Sequence, residues 1–193
     1  MNSDNAVLIV VDMQNGFISE KSAPIIPPVV DFVRQWRDAG RPYVLTRFLN
    51  SPGSLFERLI GWSRLETSPE IDLIPELQEF EDDAVAILDK PNLYSYFSAE
   101  GLELAESHGW TDFVVVGIAT ESCVLKTATD AFEHGWIPWV VTDAVYSHAG
   151  EEAHAAGLLV TSRFIGRKQL ITSAEALTGD LYTPGATPRR AAS

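Results

Sequence analysis

The chain has 193 residues, 46% of them hydrophobic, with 27 acidic against 14 basic side chains and a formal charge of −13. That charge has the wrong sign for a nucleic-acid surface, no apolar run is long enough to cross a bilayer, and a single cysteine excludes an internal disulfide framework or a cysteine-cluster metal site. The expectation is one cytosolic α/β domain over residues 1–182 with a tail at 183–193; the acidic excess reads as a solvated surface, with cationic substrates as the alternative.

In chain order, Ala6-Val-Leu-Ile-Val-Val reads as a buried strand ending at Asp12, followed by the turn-rich Met13-Gln14-Asn15-Gly16-Phe17. Pro27 or Pro28 can open a helix, and Val29, Phe32, Val33 and Trp36 keep helical spacing up to Gly40. Arg41 to Phe48 is the second strand. Residues 49–75 form a long excursion with Asn, Ser, Pro and Gly punctuation around one short apolar helix, Ser54 to Gly61. Ala84-Val-Ala-Ile-Leu88 is the third strand, closing at Asp89-Lys90-Pro91, and Ala99 to His108 is a helix ended by Gly109. Phe113-Val-Val-Val116 is a fourth, fully buried strand broken by Gly117. Thr120, Glu121 and Ser122 supply helix-start chemistry for a helix reaching about His134. Ile137 to Thr142 is the fifth strand, Gly150 to Thr161 a helix, Gln169 to Thr172 the sixth strand, and Ser173 to Thr178 a last short helix. The alternation predicts an α/β fold, a Rossmann-like parallel six-stranded sheet in the order 3-2-1-4-5-6 with helices on both faces.

In that order strands one, three and four end on the same side, so Asp12, Lys90 and Cys123 converge near the reversal between strands one and four, where open α/β sheets place their sites. The combination suits one chemistry. A cysteine nucleophile needs a base for its proton, a carboxylate can take it, and an ammonium favours the thiolate, as does the first turn of a helix. Each residue alone has a plainer reading: Cys123 as a small buried hydrophobe, Asp12 and Lys90 as a structural ion pair. The three strand ends together favour catalysis.

Val10-Val-Asp12-Met-Gln14-Asn-Gly-Phe17, Asp89-Lys90 with Tyr94-Ser95 and Phe97, and Gly117-Ile-Ala-Thr-Glu-Ser-Cys123 with Thr127 and Ala131 resemble the isochorismatase-like cysteine hydrolases. This family includes nicotinamidases and N-carbamoylsarcosine amidase, and the resemblance spans about residues 5–175. It implies an Asp12–Lys90–Cys123 triad, a cis peptide between Ile118 and Ala119, and an oxyanion hole from the N–H groups of Ala119 and Cys123. It further implies hydrolysis of a C–N bond in a small amide, lactam or ureido substrate through a thioester, and a homo-oligomer, dimer or tetramer, to which the 49–75 excursion could supply an interface. Nicotinamidases of the family carry a metal-binding Asp-x-His after the second strand. Here that place reads Arg47-Phe48-Leu49-Asn50, so no metal and no other cofactor is expected. True isochorismatases cleave a vinyl ether and commonly have another residue at the cysteine position, so Cys123 favours C–N hydrolysis. Hydrolases of streptothricin-type cyclic amides are a neighbouring reading, and a catalytically silent binding or scaffold subunit is the competing class.

Substrate contacts are expected from Gln14, Asn15, Phe17, Phe48, Trp62, Tyr94, Tyr96 and Thr120, with Gln14 better suited to bracing the Asp12 loop. Glu121 reads as a favourable first-turn carboxylate rather than a reader of a substrate cation. His108, His134, His148 and His154 read as solvated or helix-terminal.

Overall fold

The computed structural model describes residue 1 and residues 3–178; the tail expected at 183–193 lies outside the described residues. Strands β1 (Ala6–Val11), β2 (Tyr43–Leu49), β3 (Ala86–Pro91), β4 (Asp112–Ile118), β5 (Ile137–Tyr146) and β6 (Leu170–Ile171) form one sheet in the order β3-β2-β1-β4-β5-β6. Every neighbouring pair is parallel. Helices α1 (Ile26–Asp38), α2 (Ala99–His108), α3 (Leu125–Glu133), α4 (Glu151–Phe164) and α5 (Ser173–Thr178) complete the layers. The architecture is the one the alternation predicted.

The period-two geometry of β1 explains its unbroken apolar run. Ala6, Leu8 and Val10 face one layer, where they join Val29, Phe32, Val33 and Trp36 of α1 and Ala176 of α5. Val7, Ile9 and Val11 face the other, with Ala105 of α2 and Ala128 and Ala131 of α3. With helices on both faces a central strand has no polar side, and all residues of β1 and β4 are buried.

Five elements depart from the sequence expectation. The third strand is displaced toward its polar end, to Ala86–Pro91, because it pairs with β2 through Arg47↔Asp89, Phe48↔Lys90 and Leu49↔Pro91. It is the sheet edge, and Ile87 on its outer face is exposed. Gly117 does not end β4: it holds φ 107 inside the strand, and a Cβ there would sit 2.2 Å from the Val11 carbonyl oxygen. The ladder with β5 slips at this point, a bulge, and then resumes as Gly117↔Val145 and Ile118↔Tyr146. The fifth strand therefore continues to Tyr146 instead of closing at Thr142. Finally, both short helical segments near the site are wide turns. Phe56–Ile60 and Thr120–Val124 are single π-helical turns, the second leading into α3.

The excursion after β2 is tied back to the β1 exit. The N–H groups of Asn15 and Gly16 donate to the carbonyls of Asp72 and Glu70 at 3.0 and 2.9 Å, and that of Ile74 to Met13 at 3.0 Å. This stitching turns residues 62–74 into a wall over the carboxyl end of the sheet.

Candidate active site

At the exit of β1, Asp12 adopts φ 49, a left-handed backbone that aspartate tolerates better than most residues. Its side chain is fully buried. Oδ1 accepts from Thr46 Oγ1 at 2.6 Å and Oδ2 from Lys90 Nζ at 2.7 Å. Lys90, at the end of β3 and equally buried, also donates to the Tyr94 carbonyl at 2.8 Å. An ion pair stripped of water survives only when its remaining valences are filled, and Thr46 and Tyr94 fill them. Cys123 comes from the Thr120–Val124 turn after β4, is 3% exposed, and lies near enough to Asp12 and Lys90 that both act electrostatically on its thiol. The Ile118–Ala119 peptide just before that turn is cis. The structure thus brings together an acid, an ammonium and a thiol from the ends of three strands.

The electrostatics differ from the sequence expectation in one respect. Burial pushes the Cys123 thiol far above its ordinary range, and the opposing field of Lys90 does not overcome this. Lys90 is the main influence in the opposite direction, and the negative charge of Asp12 beside it adds to the rise. The resting site is a neutral thiol beside an ion pair, not a standing thiolate. A folded state that keeps a proton the unfolded chain releases near pH 9.0 has its full stability below that pH and loses it as the pH climbs. The slope is up to about 1.4 kcal/mol per pH unit. In urea titrations, the stability of wild type minus that of Cys123→Ala should therefore decline above pH 9; a flat difference there would mean that sulfur rests ionised.

A cavity of about 160 Å³ opens onto Cys123. Of the eight expected contacts, Phe17, Phe48, Trp62 and Tyr94 line it. Phe17 stacks on Trp62 with ring centroids 5.9 Å apart. The other four do not. Gln14 uses its side chain on Phe48 N–H at 2.7 Å, Phe48 C=O at 3.0 Å and Ile71 C=O at 2.8 Å, bracing the loop. Asn15 donates to the Pro69 carbonyl at 3.0 Å. Thr120 is buried against His154 Nδ1 at 2.8 Å, which ties the turn that carries Cys123 to α4. Tyr96 is fully buried against Phe97 and Phe113. Residues 92–97 form irregular turns rather than a continued strand, so Tyr94 and Tyr96 do not share a face.

Sequence reasoning missed Phe56, Ile60, Glu121, Ser122 and His148, which complete the lining. Placing the end of β5 four residues early hid His148, which lies just beyond the true strand end. It is neither solvated nor helix-terminal: its ring packs on Phe17 at 5.2 Å and Trp62 at 5.5 Å.

An isochorismatase domain model matches residues 6–169. The chain belongs to the isochorismatase family. Nicotinamidase 3 of Arabidopsis thaliana is 34% identical over 163 residues, covering 82% of this chain and 81% of that protein. A ureidoacrylate amidohydrolase of Pantoea ananatis is 28% identical over 192 residues, covering 82% of this chain and 76% of that protein. The crystal structure of the pyrazinamidase of Pyrococcus horikoshii in complex with zinc has a TM-score of 0.72 at 28% identity, covering 83% of this chain and 96% of that one. The protein is thus an isochorismatase-family hydrolase whose relatives are named amidohydrolases.

The side chains at the end of β2 and just after it do not fit a metal ion. Arg47 is cationic and paired with Asp89 at 2.7 and 2.9 Å, Phe48 is buried, and the Asn50 amide is spent on the Trp62 and Arg64 carbonyls at 2.8 and 3.1 Å. Among the described residues no three His, Cys, Asp or Glu side chains gather as a ligand set.

Proposed function

We propose that this isochorismatase-family member is a metal-independent cysteine hydrolase that cleaves the C–N bond of a small amide, lactam or ureido compound through a thioester. The observation that carries this reading is the placement of the Cys123 thiol at an open cavity, within the electrostatic reach of Asp12 and Lys90, which are themselves paired at 2.7 Å. The amidohydrolase names of the relatives support it.

In the reaction, Asp12 takes the thiol proton as sulfur attacks the substrate carbonyl carbon, so charge appears on sulfur only as the C–S bond forms. Lys90 holds Asp12 in place and offsets the negative charge that builds up beside it. The N–H groups of Ala119 and Cys123 receive the oxyanion. The C–N bond then breaks, and the amine leaves with the proton from Asp12. Water attacks the thioester carbonyl, giving its proton to Asp12; the C–S bond breaks and sulfur recovers a proton. A slow substrate quenched during turnover should leave the mass of its acyl group on the peptide that contains Cys123, and none on Cys123→Ala. Turnover retained by Cys123→Ala would refute the scheme.

A further inference from the structure

Two polar atoms at the cavity have no protein partner among the described residues. Glu121 Oε2 and His148 Nδ1 are both shielded from solvent and unpaired, and both residues line the cavity beside Cys123. Nearly all buried polar atoms in folded proteins find a partner, so a carboxylate oxygen left without one at a ligand-sized opening points to a donor that arrives with the ligand. The other oxygen of Glu121 accepts from Ser147 Oγ at 2.6 Å, which fixes the carboxylate.

The surroundings specify what kind of donor. Among the described residues no cation answers Glu121 inside the cavity: Lys90 is paired with Asp12, and Arg64 is paired with Glu70 at 2.9 Å while lying over Trp62. Burial holds His148 below its ordinary pKa, leaving a neutral imidazole at pH 7. Facing these groups are the rings of Phe17, Trp62, Phe56 and Tyr94, whose π faces favour a positive charge. The chain's formal charge of −13 draws cations toward it from a distance.

We propose that Glu121, with His148, is a specificity determinant that anchors an N–H-bearing cationic group, an ammonium, amidinium or guanidinium, on the amide whose carbonyl reaches Cys123. This rests on the amidohydrolase reading above. The carboxylate accepts one N–H of the cation, and the imidazole offers a second acceptor when its own proton is on Nε2.

The test uses glycinamide, β-alaninamide, 4-aminobutanamide and 5-aminopentanamide, each against the alkanamide that carries methyl in place of ammonium. Affinities are measured by calorimetry on the Cys123→Ala protein, which holds the substrate without consuming it. At least one cationic amide should bind about tenfold or more tighter than its neutral match, the effect of one charge-assisted hydrogen bond, and Glu121→Gln in the same background should bring that ratio close to one. Glutamine keeps the shape and the Ser147 contact, so a lost preference reports charge and not collapse. Equal affinities within every pair, including no measurable binding of either member, or a preference that survives Glu121→Gln, would overturn the proposal. Failure of the thioester scheme shows up separately, as a missing acyl adduct on wild type, and leaves the binding ratios as they are.

Discussion

Asp12→Asn should lower kcat by about 10²- to 10⁴-fold, the usual contribution of a general base, and should also destabilise the fold by about 3 kcal/mol or more. Both effects have one source. The carboxylate accepts from Thr46 on one oxygen and from Lys90 on the other, and lies beside the thiol of Cys123. An asparagine can turn its oxygen to Lys90 and its NH₂ toward Thr46, so the hydrogen bonds survive in outline. The negative charge does not, and a fully buried ammonium is left without its counter-ion. The double variant Asp12→Asn/Lys90→Met separates the two consequences. It removes the orphaned charge, so denaturation should show much of the lost stability restored, while turnover stays at the level of the single variant. Recovery of turnover together with stability would reduce Asp12 and Lys90 to a structural ion pair, the plainer reading that their sequence positions allowed.

The parts of this protein that could be read from sequence are those in which one physical requirement dominates. Ala6–Val11 and Phe113–Val116 lie between two helical layers and are apolar throughout, so their strands, their parallel pairing and the sheet order follow. Asp12 and Cys123 follow the two central strands, and a chemically reactive side chain just past such a strand stands out. The second half of β5 was hidden because the exposed Asp143 interrupts the apolar pattern, and because pairing resumes only after a bulge made possible by Gly117, a long-range contact with Val11. That one omission also removed His148 from view. The aromatic wall was half legible: Phe17, Phe48, Trp62 and Tyr94 were found by residue type, whereas Phe56 and Ile60 depend on how an aperiodic excursion is tied to Met13, Asn15 and Gly16. Nothing local encodes that stitching.

Gly157→Ala should reduce kcat/KM by about a hundredfold and lower stability, against the ordinary rule that alanine in place of a helical glycine stabilises by about 1 kcal/mol. Gly157 lies on α4 where that helix crosses the turn carrying Cys123. A Cβ there would lie 2.7 Å from the Glu121 nitrogen, 2.9 Å from its Cα and 2.9 Å from the Thr120 carbonyl carbon. All three are backbone atoms, so no rotamer change relieves the overlap, and either α4 or the turn must move. The turn has little freedom to move without consequence. Thr120 is held to His154 on α4 at 2.8 Å and Glu121 to Ser147 at 2.6 Å, and Cys123 is buried beside Asp12. If the turn shifts, sulfur moves away from Asp12; if α4 shifts, the Thr120–His154 bond is lost and the turn loosens. Either way a displacement of about an ångström at the attacking atom is enough for a loss of this size. Steady-state kinetics and thermal denaturation of the variant decide the matter: full activity with raised stability would mean that α4 does not press on the Thr120–Val124 turn, and that the placement of Cys123 depends on the sheet alone.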